Sequence, residues 1–380
     1  MGLRVALVTP EFRPESGGIG TNARVVASRL ADRGHAVTVV TTDPSTTDAV
    51  RRRALAERPA LRRHARLRRL AEIGDHVRTA RAVARKACAA RPDLVVAPEW
   101  DATAWWLARR SRVPVVTRIA GPIYLIRPAN GDPLGPHRVQ SWFERDQARR
   151  STLVHATSRS VAETIARDWG IDRARMVVVP NLIDVERVRR SATTTLDLPP
   201  RFFAYVGRLE PVKGLGVLAE VLADILRAHP QVEAVFAGRA DAPSRAMLAA
   251  GAADVADRIR VLDALSWPDT LGVMARAELI VLPALYETFP NVALEAMALG
   301  RPVVASRING LAEAVRDGET GRLVPPGDAP ALRDAVIAAL AAPDELRRFG
   351  EAAGVAIERY EADRVIDELI ALYERATGKR

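Results

Sequence analysis

Residues 279–306 read LIVLPALYETFPNVALEAMALGRPVVAS, and this stretch decides the fold. An apolar run, 279–282, is stopped by Pro283, and another follows at 302–305. Between them a helical pattern opens near Pro290 and ends at Gly300. Proline suits the first turn of a helix and glycine the position after its last. Strand, loop, helix, strand is a βαβ unit, which requires a parallel sheet. The helix is apolar almost all round, as buried helices are, yet Glu295 is its one charged residue. A buried carboxylate needs partners. Glu287 stands upstream in the loop, with seven residues between the two. The plain alternative is an exposed helix glutamate and an unrelated loop glutamate; the apolar neighbours of Glu295 argue against it.

A chain of 380 residues exceeds one ordinary core, so two domains are expected. The hydrophobic share, 48%, is that of a globular protein. The net charge of +10 invites a nucleic-acid or membrane partner. Nearly all of it is arginine, much of it between Arg51 and Arg91, and lysine occurs only at Lys86, Lys213 and Lys379. Zinc-finger spacing and aromatic-rich RNA-binding patterns are absent, so no nucleic-acid partner is expected. The basic stretch reads first as a solvated face, with peripheral contact to an anionic membrane as the open alternative. The single cysteine, Cys88, excludes an intramolecular disulfide and a cysteine metal cluster, which fits a reducing cytoplasmic setting. No run approaches the ~20 apolar residues of a membrane span. The N-terminal apolar run is too short for a secretory signal and reads as a first strand.

Residues 4–9 form that strand and lead into a loop of breakers, Pro10 to Gly20, with Gly17 and Gly18 at its centre. A helix is expected over 21–33 and a strand over 36–41, which opens a doubly wound fold. The glycine turn lets a ligand approach the backbone, but it is not GxGxxG, so a dinucleotide reading rests on little. Residues 43–74 are Arg-rich and poorly patterned, read as a loop with irregular helices. Helices follow at 75–90, 102–110, 137–150 and 160–168, with strands at 94–97, 113–119, 153–156 and 176–179. The breaker-rich stretch 120–136 reads as a long loop, functional by its length. Residues 180–200 read as the passage between domains. The pattern then restarts with strands at 202–206, 233–236, 259–262 and 322–324, and helices at 215–228, 268–275, 329–341, 344–357 and 361–377. The domains are therefore expected at 1–185 and 186–360. Two α/β halves in tandem imply two doubly wound sheets facing a cleft, with ligands beyond the carboxyl ends of the strands.

Three loops of the second half carry unusual chemistry. One holds Arg208 and Lys213 in a glycine-flanked turn, one holds Glu287 and the helix start near Pro290, and one holds Asn309 and Gly310 before Glu313. Arginine's fork and lysine's point charge both suit phosphate oxygens. A helix N-terminus adds amides and a positive dipole end. Carboxylates repel phosphate, so Glu287 and Glu295 should bind hydroxyls. Cations and amides in the middle with carboxylates at the ends suit a diphosphate flanked by two sugars, a nucleotide sugar. The competing reading of Arg208 and Lys213 is a surface ion pair with Glu210.

The sequence here resembles glycosyltransferase family 4, retaining enzymes of the GT-B fold. The resemblance is carried by Gly17-Gly18; Gly34-His35; Val179-Pro180-Asn181-Leu182-Ile183-Asp184; Gly207-Arg208 with Lys213-Gly214; Glu287 and Glu295; the run from Glu295 to Val304; and Asp317-Gly318-Glu319-Thr320-Gly321. It implies that Arg208 and Lys213 bind the donor diphosphate and that Glu295 binds the ribose. It implies sugar hydroxyls for Glu287, and sugar and phosphate contacts for the backbone of Phe289, Pro290, Asn291 and Val292. Gly17 and Gly18 should let the first domain's loop close over the diphosphate. The last helix, about 361–380, should pack back on the N-terminal, acceptor-binding domain, leaving donor binding to the C-terminal one. Arg208, Lys213 and Glu287 are the expected catalytic set, Glu287 less as a covalent nucleophile than as a sugar contact. The resemblance also implies no metal and no cofactor, the co-substrate being a UDP- or GDP-sugar, and a hexosyl or N-acetylhexosaminyl group transferred.

Two departures concern the acceptor. Many members carry a histidine in the loop after the strand at 115–119, where this chain has Ala120; others place one where Glu99 stands. Glu11, Glu99, Asp101 and Arg118 are the candidate acceptor contacts. The acidic loops suggest a small polar acceptor, such as an aminocyclitol or aminosugar. A lipid-linked or phosphorylated acceptor used at a membrane is the alternative reading. A non-catalytic nucleotide-sugar binding protein is another, and a nicotinamide-dependent oxidoreductase a third. Oligomeric state is left open.

Overall fold

The computed structural model describes residues 2–10, 12, 18–42, 65–263 and 265–379. The chain divides into two compact units, one of Met1–Pro128, Asp132–Leu182 and Ala362–Arg380, the other of Ala129–Gly131 and Ile183–Glu361.

Each unit is built on a six-stranded parallel sheet. In the first, β1 (Arg4–Thr9), β2 (Ala36–Thr41), β3 (Leu94–Pro98), β4 (Val115–Arg118), β5 (Leu153–Ala156) and β6 (Met176–Val178) lie in the order β2-β1-β3-β4-β5-β6. In the second, β7 (Phe202–Val206), β8 (Glu233–Ala237), β9 (Ile259–Leu262), β10 (Leu279–Leu282), β11 (Val303–Ser306) and β12 (Gly321–Val324) lie in the order β12-β11-β10-β7-β8-β9. The central strands are short apolar runs buried on both faces, as parallel strands covered by helices must be. Their side chains divide between two cores in the second unit: Phe202, Ala204 and Val206 enter one, Phe203 and Tyr205 the other. The same alternation sends Val5 and Leu7 to one face of the first sheet, and Ala6 and Val8 to the opposite one.

Chain order reverses between β1 and β3 in the first sheet, and between β7 and β10 in the second. At such a switch point two crossovers leave in opposite directions, and a crevice opens beyond the carboxyl ends of the strands. The loops after β7 and β10 are those that carry Arg208, Lys213 and Glu287. The helix Ala362–Thr377 belongs to the first unit and packs on the helix Gly18–Asp32 through Val365, Leu369 and Tyr373. Arg33 is ion-paired to Asp367 and, at 3.3 Å, to Asp363 across that contact.

The structure departs from the sequence reading in four stretches. A continuous helix runs from Ala65 to Ala89 through Gly74, where irregular structure was expected up to residue 74. The buried positions His76, Ala80, Val83 and Ala87 give it one packed stripe, enough to carry one interior glycine. The loop 120–136 contains a short helix, Ile123–Ala129. The polar passage 180–200 contains Val185–Ser191, capped by Asp184, whose carboxylate accepts the Arg187 N–H at 2.8 Å. A helix unread in the sequence, Ala242–Gly251, is capped by Asp241. The expected loop at 43–64 lies outside the described residues.

Gly214 fastens the loop after β7 to the end of β10. Its φ is +76°, and a Cβ there would lie 1.8 Å from the Pro283 carbonyl oxygen. Gly214→Ala should therefore strain both backbones by about 1–3 kcal/mol. Calorimetry should show the thermal midpoint lowered by about 2–10 °C; an unchanged midpoint would mean the loop has another stable position.

Candidate active site

The hydrogen bond from the Leu285 N–H to the Val212 carbonyl, 2.9 Å, joins the loops after β7 and β10. Beside it Lys213 Nζ meets Glu287 Oε2 at 2.5 Å, both side chains mostly buried. The other oxygen, Glu287 Oε1, accepts the Thr288 N–H at 3.0 Å. Arg208 sits on the same loop but takes a different partner, Glu210, at 2.8 Å, with its side chain 62% exposed. Tyr205 fixes the backbone below it by donating its hydroxyl to the Arg208 carbonyl at 2.9 Å. The surface pair expected as the competing reading is thus real for Arg208 and not for Lys213. An ion pair that exposed contributes only about 0–1 kcal/mol, so Arg208 can leave Glu210 at little cost.

The helix Asn291–Ala298 begins directly after this loop. Its N-cap residue, Pro290, has no side-chain acceptor for the first-turn amides. Phe289 is buried against Tyr360, ring centres 5.5 Å apart, and fixes the approach to the helix. The loop after β11 closes on it from the side. Asn309 adopts φ +33°, and a Cβ on Gly310 would lie 2.4 Å from the Thr288 carbonyl oxygen. Only glycine allows that approach.

Glu295, one turn on, is 9% exposed. Its Oε1 accepts the indole N–H of Trp267 at 2.9 Å. Burial pushes its carboxyl up to about 7, against the smaller opposing effect of that hydrogen bond. Glu287 and Glu295 are therefore held separately, one by a lysine and one by an indole. Trp267 was not foreseen. Ser266-Trp267-Pro268-Asp269 can be read as a helix start, but nothing in its spacing points to Glu295.

In the first unit the expected acceptor residues are placed less openly. Glu99 is fully buried, and its oxygens accept the N–H groups of Ala120 and Gly121 at 2.7 and 2.6 Å. It holds the loop after β4 through both oxygens. Burial raises its carboxyl, and the amide bonds and Arg118 oppose the rise. Asp101 is buried with φ +61° on the same segment, which likewise takes it out of solvent. Arg118 donates Nη2 to Asn181 Oδ1 at 2.6 Å, and its Nε is buried with no hydrogen-bond partner among the described residues. It lines a cavity of about 30 Å³ with Thr9, Asn22, His155, Asn181 and Tyr373. Burial, then the Arg118 charge, drives the His155 imidazole down to about 3, so it is neutral. Gly18 is the exposed first residue of its helix; Glu11 and Gly17 lie outside the described residues. Among the described residues no three His, Cys, Asp or Glu side chains gather as a cation site, and no helix is long and apolar enough to cross a membrane.

Two six-stranded parallel sheets, each with a switch point, are the architecture of a GT-B glycosyltransferase. The chain belongs to glycosyltransferase family 4, whose members transfer sugar from a nucleotide-sugar donor. The family described as "Glycosyltransferase Family 4" matches residues 16–187, and "Glycosyl transferases group 1" matches residues 189–355. The chain is 32% identical to the glycogen synthase of Mycobacterium tuberculosis, over 92% of this chain and 89% of that protein. It is 31% identical to the D-inositol 3-phosphate glycosyltransferase of Segniliparus rotundus, over 59% of this chain and 54% of that one. The sucrose-phosphate synthase of Thermosynechococcus elongatus shares the fold, with TM-score 0.78, 19% identity and 99% of each chain covered. Membership removes the oxidoreductase reading of the glycine turn.

The unfolded chain ionises Glu295 from its ordinary value of 4.5, whereas the folded chain holds the proton up to about 7. Stability should fall as pH rises through that window, by about 3 kcal/mol in full. Glu295→Gln should therefore gain about 1–3 kcal/mol on wild type between pH 5 and pH 8. Denaturant midpoints at the two pH values read it; an equal difference at both would show that the carboxyl titrates normally.

Proposed function

We propose that this protein is a retaining, metal-independent glycosyltransferase that moves a hexosyl or N-acetylhexosaminyl group from a UDP- or GDP-sugar to a hydroxyl of a small polar acceptor. The observation that carries the donor half is the Lys213–Glu287 pair at 2.5 Å beside the uncapped start of the Glu295 helix. The second unit binds the donor. Arg208, Lys213 and the amides of Asn291 and Val292 take the diphosphate, Glu287 and the backbone at Phe289 and Pro290 the sugar, and Glu295 the ribose. The first unit binds the acceptor, with Gly18, and Gly17 beside it, serving the diphosphate.

In the transfer, the bond between the sugar's anomeric carbon and the phosphate oxygen breaks, and one to the acceptor oxygen forms on the same face. The acceptor's proton passes to the leaving phosphate oxygen. The nucleoside diphosphate departs with its extra charge met by Arg208, Lys213 and the helix start, so this chain's own cations supply what a divalent ion would. Glu287 holds Lys213 in place until the diphosphate arrives.

The acceptor follows from the first unit by elimination. Glu99 is committed to backbone amides, and Asp132 pairs with Arg127 at 3.0 Å. The amine-bearing acceptor thus has less support from these two carboxylates. Arg118, whose Nε is buried without a hydrogen-bond partner among the described residues, favours an acceptor carrying an anionic group, as the name of the Segniliparus relative also does. A small polar or phosphorylated polyol is the reading supported best, in a cytoplasmic protein. The arginine-rich stretch from Arg51 to Arg91 is its point of peripheral membrane contact should the acceptor be lipid-linked.

The test is a mass-spectrometric screen of UDP- and GDP-sugars against free and phosphorylated polyols and aminocyclitols. Arg208→Ala should lower turnover about 10²–10³-fold, and EDTA should leave it within about twofold. Tight nucleotide-sugar binding without transfer to any acceptor would favour the non-catalytic reading instead.

A further inference from the structure

We propose that Trp267 is a positioning residue for the nucleotide's ribose: its indole N–H holds one oxygen of Glu295 and leaves the other to the ribose hydroxyls. The inference rests on the donor-binding role proposed above for Glu295. Trp267 opens the helix Trp267–Arg276 and is held there from several sides. Ser266 caps that helix by accepting the Asp269 N–H at 3.2 Å, and Pro268 sets the φ of the next position. The indole packs on the apolar core that also contains Leu294 and Met297. The Arg187 guanidinium lies 5.1 Å from its ring centre. A ring held in this way presents its N–H in one direction, and that direction is Glu295 Oε1, at 2.9 Å.

The chemistry of the pair is selective. An indole donates and does not accept, so it satisfies a carboxylate without competing for the hydroxyl protons of a ligand. Glu295 Oε2 meets no protein donor among the described residues and is not sealed from solvent. A single carboxylate oxygen has room for both hydroxyls of a ribose, and a hydrogen bond to the charged form keeps it an acceptor. Without the indole, the same buried group would turn on its side-chain torsions and hold its proton more firmly. It would then be protonated for more of the time and accept from ribose hydroxyls less often.

Calorimetric titration of the full chain with UDP, GDP and their 2′-deoxy counterparts tests this. Wild type should prefer the ribonucleotide by about tenfold or more. Trp267→Phe keeps the ring and deletes the N–H; it should reduce that preference to about threefold or less, raise the donor KM and leave kcat nearly unchanged. Arg187→Ala, which loosens the ring but keeps the N–H, should give an intermediate loss and stands in if Trp267→Phe does not fold. A preference retained in both variants but lost in Glu295→Gln overturns the role of Trp267 alone. A preference retained in Glu295→Gln overturns the ribose role of Glu295 beneath it. Tighter nucleotide binding by Trp267→Phe would mean that the indole occupies the ribose's place, and would also overturn the proposal.

Discussion

A carboxylate in an apolar helix is a standing cost, and Glu295 is the point where this fold bears it. The helix Asn291–Ala298 is buried because the strands on either side of it, β10 and β11, are central and covered on both faces. A polar side chain there must be satisfied or protonated. Here it is satisfied halfway, by one indole N–H, and the remaining penalty shows as a carboxyl raised to about 7. A helix built only for packing would carry leucine at that position. The incomplete satisfaction is what a ligand can complete, so the same feature that weakens the free protein provides a driving force for binding.

The loops around that helix share one economy. Lys213 and Glu287 neutralise each other at 2.5 Å, and Arg208 leans on Glu210 at 2.8 Å. Two cations on one loop would repel one another, and each has a carboxylate to hold it. Arg208 is exposed and its pair weak; Lys213 is mostly buried and its pair fixed. The two cations therefore differ in kind: Arg208 is loosely held at the surface, and Lys213 is fixed. The topology makes this possible by putting β7 beside β10, although more than seventy residues separate the two loops in sequence.

Much of this was legible before any coordinates. Short apolar runs ending in Pro283 or Gly207 read correctly as parallel strands because nothing else buries such a run on both faces. The breakers after them marked the loops that carry Arg208, Lys213 and Glu287. What stayed hidden depended on side chains meeting across distance. The Trp267–Glu295 bond joins residues 28 apart, and no periodicity relates them. The stretch before Gly74 defeated pattern reading because none of its described residues is buried and its leucines stand exposed, so no apolar stripe marks it. Asp184 and Asp241 were legible as caps only after the helices they start were known.

The first unit shows the same physics with the opposite outcome. Glu99 and Glu144 are both fully buried, and both spend their oxygens on the segment after β4: Glu99 on the amides of Ala120 and Gly121, Glu144 on that of Ile123 at 3.0 Å. Burial raises both carboxyls, and the nearness of Glu99 raises Glu144 further. Two carboxylates are thus committed to fixing one segment, the one that begins at Ala120. Unlike Glu295, they are met by several donors each, Gln140 adding a bond to Glu144 at 2.9 Å. Satisfied groups have nothing left for a ligand. Arg118 Nε and the Nδ1 of the neutral His155 are among the buried polar atoms of this unit without a hydrogen-bond partner among the described residues. What distinguishes the two units is thus the number of donors each buried carboxylate meets: one for Glu295, two or more for Glu99 and Glu144.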